Sequence, residues 1–296
     1  MAKFILWAGS KERLLPQIES YMLPYIGSCE NYFEPFLGGG SNLIQVLTKF
    51  KHLKCYANDA NALLINTWQV LQKYPNELAE EIEEADTVWK DLALNFSTDY
   101  KEEEYKTLFL HERAKLNRMI ATGATGLPLA VSFLIINHMG YNGLFRVNAK
   151  GLCNTPAGTY HVFPTKKELL QLSELIKNVT FTCMDFRHFL TEPFCQHGFI
   201  YADPPYRPLS KTANFTTYCK DGFTEEDHIE LSYILIDSLN KDCRFLLHSS
   251  YSDDLDEWVK KYYNGCSIHA IGARRNINCK GNKRGKIPEA IILPEF

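Results

Sequence analysis

Hydrophobic and polar positions change period several times along this chain, and each change predicts an element. Lys11–Tyr21 reads as a short helix. Asn31–Leu37 reads as a strand that runs into Gly38-Gly39-Gly40. Ser41–Phe50 follows as a helix with Leu43, Val46 and Leu47 on one face, and Leu53–Ala57 is a second strand ending at Asn58-Asp59. A βαβ opening of this kind predicts a parallel sheet with helices on both faces. From about residue 63 to 139 helical spacing dominates. Gly140–Pro164 is rich in Gly, Asn and Pro and predicts loops with a hairpin. After Pro164 the alternation returns. It predicts a helix over Lys166–Lys177, strands over Val179–Met184 and Phe199–Ala202, a helix over Glu225–Leu239, and strands over Arg244–His248 and Ala290–Leu293. The expected organisation is one α/β domain from residues 1–62 and 165–296, interrupted by a mostly helical insertion over 63–164.

Composition narrows the function classes. With 296 residues, 45% hydrophobic and 13% aromatic, the chain can bury a large core, so disorder is not expected. No apolar run reaches the ~18–20 residues that span a bilayer, and the first residues lack a signal-peptide pattern. The nine cysteines form no CxxC pair, so neither a zinc site nor a disulfide framework is expected, and a reducing cytoplasm is. The net charge of −3 is unlike that of a small basic nucleic-acid-binding domain, but the charges are segregated. Glu77–Glu104 holds eleven acidic residues and two lysines, and reads as a solvated helix face set against Leu78, Ile82, Val88 and Trp89. Arg274–Lys286 holds six basic residues and no acid. That segment can follow a phosphate backbone, or it can be a plain solvated loop.

Three motifs carry chemistry. Phe33–Ser41 is a strand that ends in glycines and opens a helix, which lets a ligand approach bare backbone and helix N–H groups. Neither GxGxxG nor Gly-Lys-Ser/Thr is present, so the ligand is not expected to be a clamped pyrophosphate; a tight structural turn would use the same glycines. Asp59, about twenty residues on at the end of the next strand, suits two ribose hydroxyls, although a helix cap is the alternative. Together these describe an adenosine-containing cofactor, and S-adenosylmethionine fits. The third motif is Asp203-Pro204-Pro205-Tyr206, just after a strand, where ligand sites of such sheets lie. The amino nitrogen of adenine is a poor nucleophile, because its lone pair is delocalised into the ring. The Asp203 carboxylate and the Pro204 carbonyl can accept its two N–H bonds and free that lone pair, the prolines fix the backbone, and Tyr206 offers a stacking face.

The chain resembles the Dam-type adenine-N6 DNA methyltransferases, in which the recognition region lies between the glycine motif and the catalytic DPPY. Six blocks carry the resemblance in order: WAGSK (Trp7–Lys11), FEPFLGGGS (Phe33–Ser41), NDAN (Asn58–Asn61), GYNGLFRVNAKG (Gly140–Gly151), DPPYRPLS (Asp203–Ser210) and RRNINCKGNKRGK (Arg274–Lys286). The resemblance implies a Rossmann-like methyltransferase sheet with an inserted helical DNA-recognition domain. It implies catalytic roles for Asp203, Pro204 and Tyr206. It implies S-adenosylmethionine contacts from Trp7, Lys11, Glu34, Phe36, Gly38, Gly40, Asp59, Asp185, Phe186 and Asp203, with Lys11 toward the methionine carboxylate and Trp7 near the sulfonium. Double-stranded DNA is the implied partner and GATC the implied site. No metal is expected, and the protein is read as a monomer of bacterial or phage type.

The same resemblance places sequence reading in Tyr141, Asn142, Arg146, Asn148 and Pro156. Arg146 suits a guanine edge, Tyr141 the gap left by a flipped base, Asn142 the orphaned partner and Pro156 a thymine methyl. Arg274, Arg275, Lys283, Arg284 and Lys286 would meet phosphates. Ala213–Tyr218 resembles the family's stretch that closes over the flipped base. Departures from the pattern are Ser10 in place of a common glycine, Cys153–Pro156 in place of a more aromatic version, His138-Met139 before the loop, and a longer insertion. Rival readings are cytosine-N4 methylation, RNA adenine methylation and a regulator without catalysis. Ser is more frequent before the prolines in the first, the motifs lie closer together in the second, and the third has no need of Asp203.

Overall fold

The computed structural model describes residues 3–94, 99–159, 162–207, 222–274 and 286–295. Seven strands form one sheet: β1 (Asn31–Glu34), β2 (Lys54–Asn58), β3 (Thr180–Thr182), β4 (Gly198–Ala202), β5 (Arg244–Ser250), β6 (Cys266–Arg274) and β7 (Lys286–Pro294). Their order is β3-β2-β1-β4-β5-β7-β6. The first five run parallel, and β7 lies antiparallel between β5 and β6. This is a Rossmann-like doubly wound sheet. The order reverses between β1 and β4, so a crevice opens at their carboxyl ends.

Side-chain alternation explains why the sheet is covered twice. Tyr32, Phe199, Tyr201, Leu246 and Ile291 point into one core, whereas Phe33, Ile200, Ala202, Phe245, Leu247 and Ile292 point into the other. The first face is packed by α1 (Leu15–Ile26), α2 (Ser41–Lys49) and α3 (Ala62–Lys73). The second is packed by α8 (Phe186–Thr191), α9 (Glu225–Ser238) and α10 (Leu255–Tyr262). Between β2 and β3 come α3, α4 (Pro75–Leu94), α5 (Asp99–Ala121), α6 (Leu127–Met139) and α7 (Lys166–Ile176).

The helical stretch shares the first core. Trp68 of α3 stacks on Phe181 of β3, 5.8 Å between centroids. Every residue of α6 from Leu129 to Met139 is buried, so this helix is the axis around which the others pack. The acidic run lies on α4 and α5 with Leu78, Ile82 and Trp89 inward, but Val88 faces outward, against the sequence expectation. Capping boxes at Thr165/Glu168 and Thr224/Asp227 start α7 and α9, which satisfies backbone N–H groups that the first turn leaves unpaired. Among the described residues, no helix is long and apolar enough to cross a membrane.

Several bounds differ from the sequence reading. The first helix begins at Leu15 with Pro16 in its first turn, because Lys11 sits in a preceding loop. β1 stops at Glu34, since Pro35 cannot continue the ladder. β6, α8 and α10 are additional elements. The basic segment also gains a frame, because β6 and β7 pair along their lengths and bring Arg274 opposite Lys286.

Candidate active site

The crevice has two walls, one built from the turn after β1 and the other from the turn after β4. At the first, Gly38 adopts a φ of +50°, and a Cβ there would lie 2.8 Å from Cδ1 of Trp7. Only glycine lets that indole pack down on the turn. The Gly38 N–H donates to Oδ2 of Asp59 (2.9 Å) and the Asn61 N–H to its Oδ1 (2.9 Å). Asp59 is not the cap of α3; Asn61 is, accepting from Leu63 and Leu64. Burial pushes the Asp59 carboxyl up to about 6 against those two N–H donors. Asn58, buried beside it, has no role in the sequence reading. Its amide donates to the carbonyls of Pro35 (3.1 Å) and Met184 (2.9 Å), and its Oδ1 accepts from the Thr182 hydroxyl (2.9 Å) and Met184 N–H (3.1 Å). It therefore fastens the ends of β1, β2 and β3 together. A buried amide at a strand end was the available signal.

Glu34 closes β1 and is 2% exposed. Its Oε2 accepts from the Tyr32 hydroxyl (2.6 Å), which in turn accepts from the Asn42 amide (2.7 Å). Burial pushes its carboxyl up to about 8, so the group is mostly protonated at neutral pH. Glu34 holds its proton more tightly folded than unfolded. Its contribution to stability is therefore full below an ordinary carboxylate value near 4.5 and is lost as pH rises through about 8. Glu34→Gln should flatten the fall of stability over that window, by up to about 1.4 kcal/mol per pH unit. Denaturant melts of both proteins at several pH values measure this, and parallel curves would contradict it.

Beside the glycine turn, Phe36, Phe186 and Phe223 meet with centroids 5.5–5.6 Å apart. Phe223 is a member that sequence reading missed. Asp185 is exposed; it caps α8 through the Arg187 N–H (2.8 Å) and pairs with the Arg187 side chain (3.0 Å). Arg187 also binds Asp227 and Glu230 of α9 and lies over the Phe186 ring, so it braces the two helices behind the aromatic trio.

On the second wall Asp203 directly follows β4. Its Oδ2 accepts from Nζ of Lys11 (2.6 Å), which also donates to the Gly9 carbonyl (2.8 Å). Lys11 is 5% exposed, so the ion pair is shielded from water. Its ammonium, expected to face the cofactor carboxylate, is placed on the motif carboxylate. The Asp203 Oδ1 is buried without a hydrogen-bond partner among the described residues. Burial raises the Asp203 carboxyl above its usual range, with Lys11 opposing, Glu289 adding to the rise and the nearby Tyr206 hydroxyl lowering it in lesser measure. Pro204 is buried. Tyr206 donates its hydroxyl to Oε2 of Glu289 on β7 (2.8 Å), and Lys11 Nζ lies 5.0 Å from the centre of its ring. Arg207 leaves the motif with its guanidinium 3.8 Å over Trp258 and a 2.8 Å bond to Asp254. The sequence reading gives no role to Glu289 or to Arg207, because their partners lie far along the chain.

The recognition block forms an irregular hairpin. Val147 bridges Cys153, Gly140 bridges Ala157, and Asn148 Oδ1 accepts from the Lys150 and Leu152 N–H groups at the tip. α5 grips it through Arg113, which donates to the Thr155 carbonyl (2.7 Å), and Asn117, which pairs with both backbone groups of Cys153 (2.7 and 2.9 Å). Tyr141, Asn142, Arg146, Asn148 and Pro156 are exposed on it. The backbones of Arg274 and Lys286 pair across β6 and β7, while Arg275, Lys283, Arg284 and Ala213–Tyr218 lie outside the described residues.

A family model for D12 class N6 adenine-specific DNA methyltransferases matches residues 7–277. Type II methyltransferase M.MjaIII of Methanocaldococcus jannaschii is 34% identical over 286 residues, 95% of this chain and 94% of its own. Type II methyltransferase M1.LlaDCHI of Lactococcus lactis is 32% identical, over 98% of this chain and 94% of its own. The DNA adenine methylase of Escherichia coli K12 is 30% identical, over 98% of this chain and 94% of its own. With this match over most of its length, the chain belongs to the D12 class of N6 adenine-specific DNA methyltransferases.

Proposed function

We propose that this enzyme takes its methyl group from S-adenosylmethionine and places it on adenine N6 within GATC in double-stranded DNA, on a base turned out of the helix. The observation that carries the reading is the buried Oδ1 of Asp203, an acceptor without a protein partner among the described residues, held at the topological switch point by Lys11. The opposite wall fits the cofactor. Each carboxylate oxygen of Asp59 accepts one backbone N–H and keeps a second acceptor site, which suits two ribose hydroxyls. The Phe36, Phe186 and Phe223 rings suit an adenine face. When bound, S-adenosylmethionine supplies a methyl electrophile on sulfur.

The chain's own groups prepare the nucleophile. Asp203 accepts one N–H of the target amino group and draws its nitrogen toward tetrahedral geometry, and its raised pKa suits it to receive the proton that leaves. Tyr206, tethered to Glu289, offers its ring to the base. Residues 63–164 act as the target-recognition domain, with Tyr141, Asn142, Arg146 and Pro156 presented on the hairpin. The basic residues of the Arg274–Lys286 segment meet phosphates.

The test is sequence reading by Arg146. Wild type should methylate a GATC duplex faster than one altered at a single G·C pair. Arg146→Ala should narrow that preference by roughly 1–3 kcal/mol, about ten- to hundredfold, as expected for a bidentate guanine contact. The measurement is kcat/KM on both duplexes at fixed salt. Equal losses on both would make Arg146 a backbone clamp.

A further inference from the structure

We infer that Asn137 is a positioning residue that couples reading of the target to the catalytic carboxylate, an inference that rests on the proposed role of the Gly140–Pro156 hairpin. Asn137 lies in α6 and is 1% exposed. Its side chain forms a two-bond bridge with the backbone of Leu6. The Leu6 N–H donates to Oδ1 (2.7 Å), and Nδ2 donates to the Leu6 carbonyl (2.7 Å). The same Nδ2 lies 3.5 Å from the carbonyl of Gly143. A polar side chain in so apolar a helix costs stability unless it is paired, and this one is paired to two segments at once.

Those two segments lead to the two ends of the reaction. On one side, Leu6 precedes Trp7, which rests on the Gly38 turn. Four residues further on, Lys11 holds Asp203 at 2.6 Å. On the other side, Asn137 stands three residues before Gly140 and the turn Tyr141-Asn142-Gly143. The two meet again away from the amide. Gly143 has a φ of +63°, and a Cβ on it would stand 2.8 Å from Cβ and Cδ1 of Leu6. Asn142, beside it, is also left-handed, with a φ of +56°. A shift of this turn when Tyr141 or Asn142 meets DNA must therefore press on Leu6 or pull on Asn137. Leu6 is joined by the short Trp7–Lys11 segment to the ammonium that sets Asp203. Correct seating of the hairpin would thereby favour the productive Lys11–Asp203 geometry, and incorrect seating would not.

A merely structural amide would give a different result. Asn137→Ala should lower the ratio of single-turnover rates on the GATC and altered duplexes by about five- to 150-fold, the usual range of site-to-site coupling. Affinity for the GATC duplex and for S-adenosylmethionine should stay close to wild type. Rates are counted per cofactor-binding site, so unfolded protein does not enter. Leu6→Ala keeps both backbone bonds to Asn137 and removes the side chain beyond Cβ, including the Cδ1 under Gly143. It should lower the ratio in the same direction, and it decides the matter if Asn137→Ala does not fold. Wild-type discrimination that survives in the folded variants overturns the coupling and leaves the hairpin's reading role intact, as does an equal fall on both duplexes. A wild type without discrimination overturns the hairpin's role and the coupling with it.

Discussion

Asp203→Ala should lower the rate of methyl transfer by roughly 10²–10⁴-fold or more, the scale at which a positioned proton acceptor matters. The loss follows from geometry. Oδ1 is a buried acceptor without a hydrogen-bond partner among the described residues, and its carboxylate is aimed by a 2.6 Å bond from Lys11. Binding of DNA and cofactor should persist, because Asp59, the glycine turn and the hairpin are held by other bonds. Removing the carboxylate leaves the Lys11 ammonium buried without its partner, which destabilises the fold. Asp203→Asn, close to isosteric, is the companion variant. Rapid-quench measurement of one turnover, with active sites counted by cofactor binding, checks the expectation. Substantial turnover in folded Asp203→Ala protein would remove this carboxylate from the chemistry.

Lys11→Gln should have the second largest effect, and its signature is a displaced pH profile. Burial already raises the Asp203 carboxyl, and Lys11 is the principal group opposing that rise. Without the ammonium the carboxyl rises further, so its protonated form persists to higher pH. Below the raised value the acceptor form becomes scarce, and there activity should fall by roughly tenfold for each pH unit. The acidic limb of the rate profile should move to higher pH, and activity should recover in part as pH is raised. A lowered plateau with the acidic limb unmoved would mean that Lys11 serves binding and does not tune Asp203. Calorimetry with S-adenosylmethionine separates the two, since a lysine directed to the cofactor would change that affinity.

Local pattern made the backbone of both walls of the crevice legible. The strand into Gly38-Gly39-Gly40, the carboxylate at the end of the next strand and Asp203 after Phe199–Ala202 each declare themselves within a few residues. The period of the chain and the βαβ rule then place them at neighbouring strand ends. Contacts between distant residues leave no such trace. Lys11 reaches Asp203 across 192 positions, Tyr206 reaches Glu289 across 83, and Asn137 reaches Leu6 across 131. Of the three elements that escaped, two did so for local reasons. α8 has six residues, too few for a helical period to register. β6 ends at the basic segment, whose charge argues for a solvated loop, yet pairing with the buried β7 keeps its length extended. Asp59 illustrates the limit of local reading. As a cap or as a ribose acceptor it looks the same in sequence, and Asn61, which caps α3, removes the first reading.

The central claim is that the crevice between β1 and β4 methylates adenine N6 in GATC with a methyl group from S-adenosylmethionine. The most direct measurement is to incubate the enzyme with double-stranded DNA of mixed sequence and S-adenosylmethionine carrying an isotopically labelled methyl group, and then to identify the labelled base by mass spectrometry and map its positions. The expected result is labelled N6-methyladenine confined to GATC. Label on cytosine N4, or N6-methyladenine spread over sequences unrelated to GATC, would contradict the account.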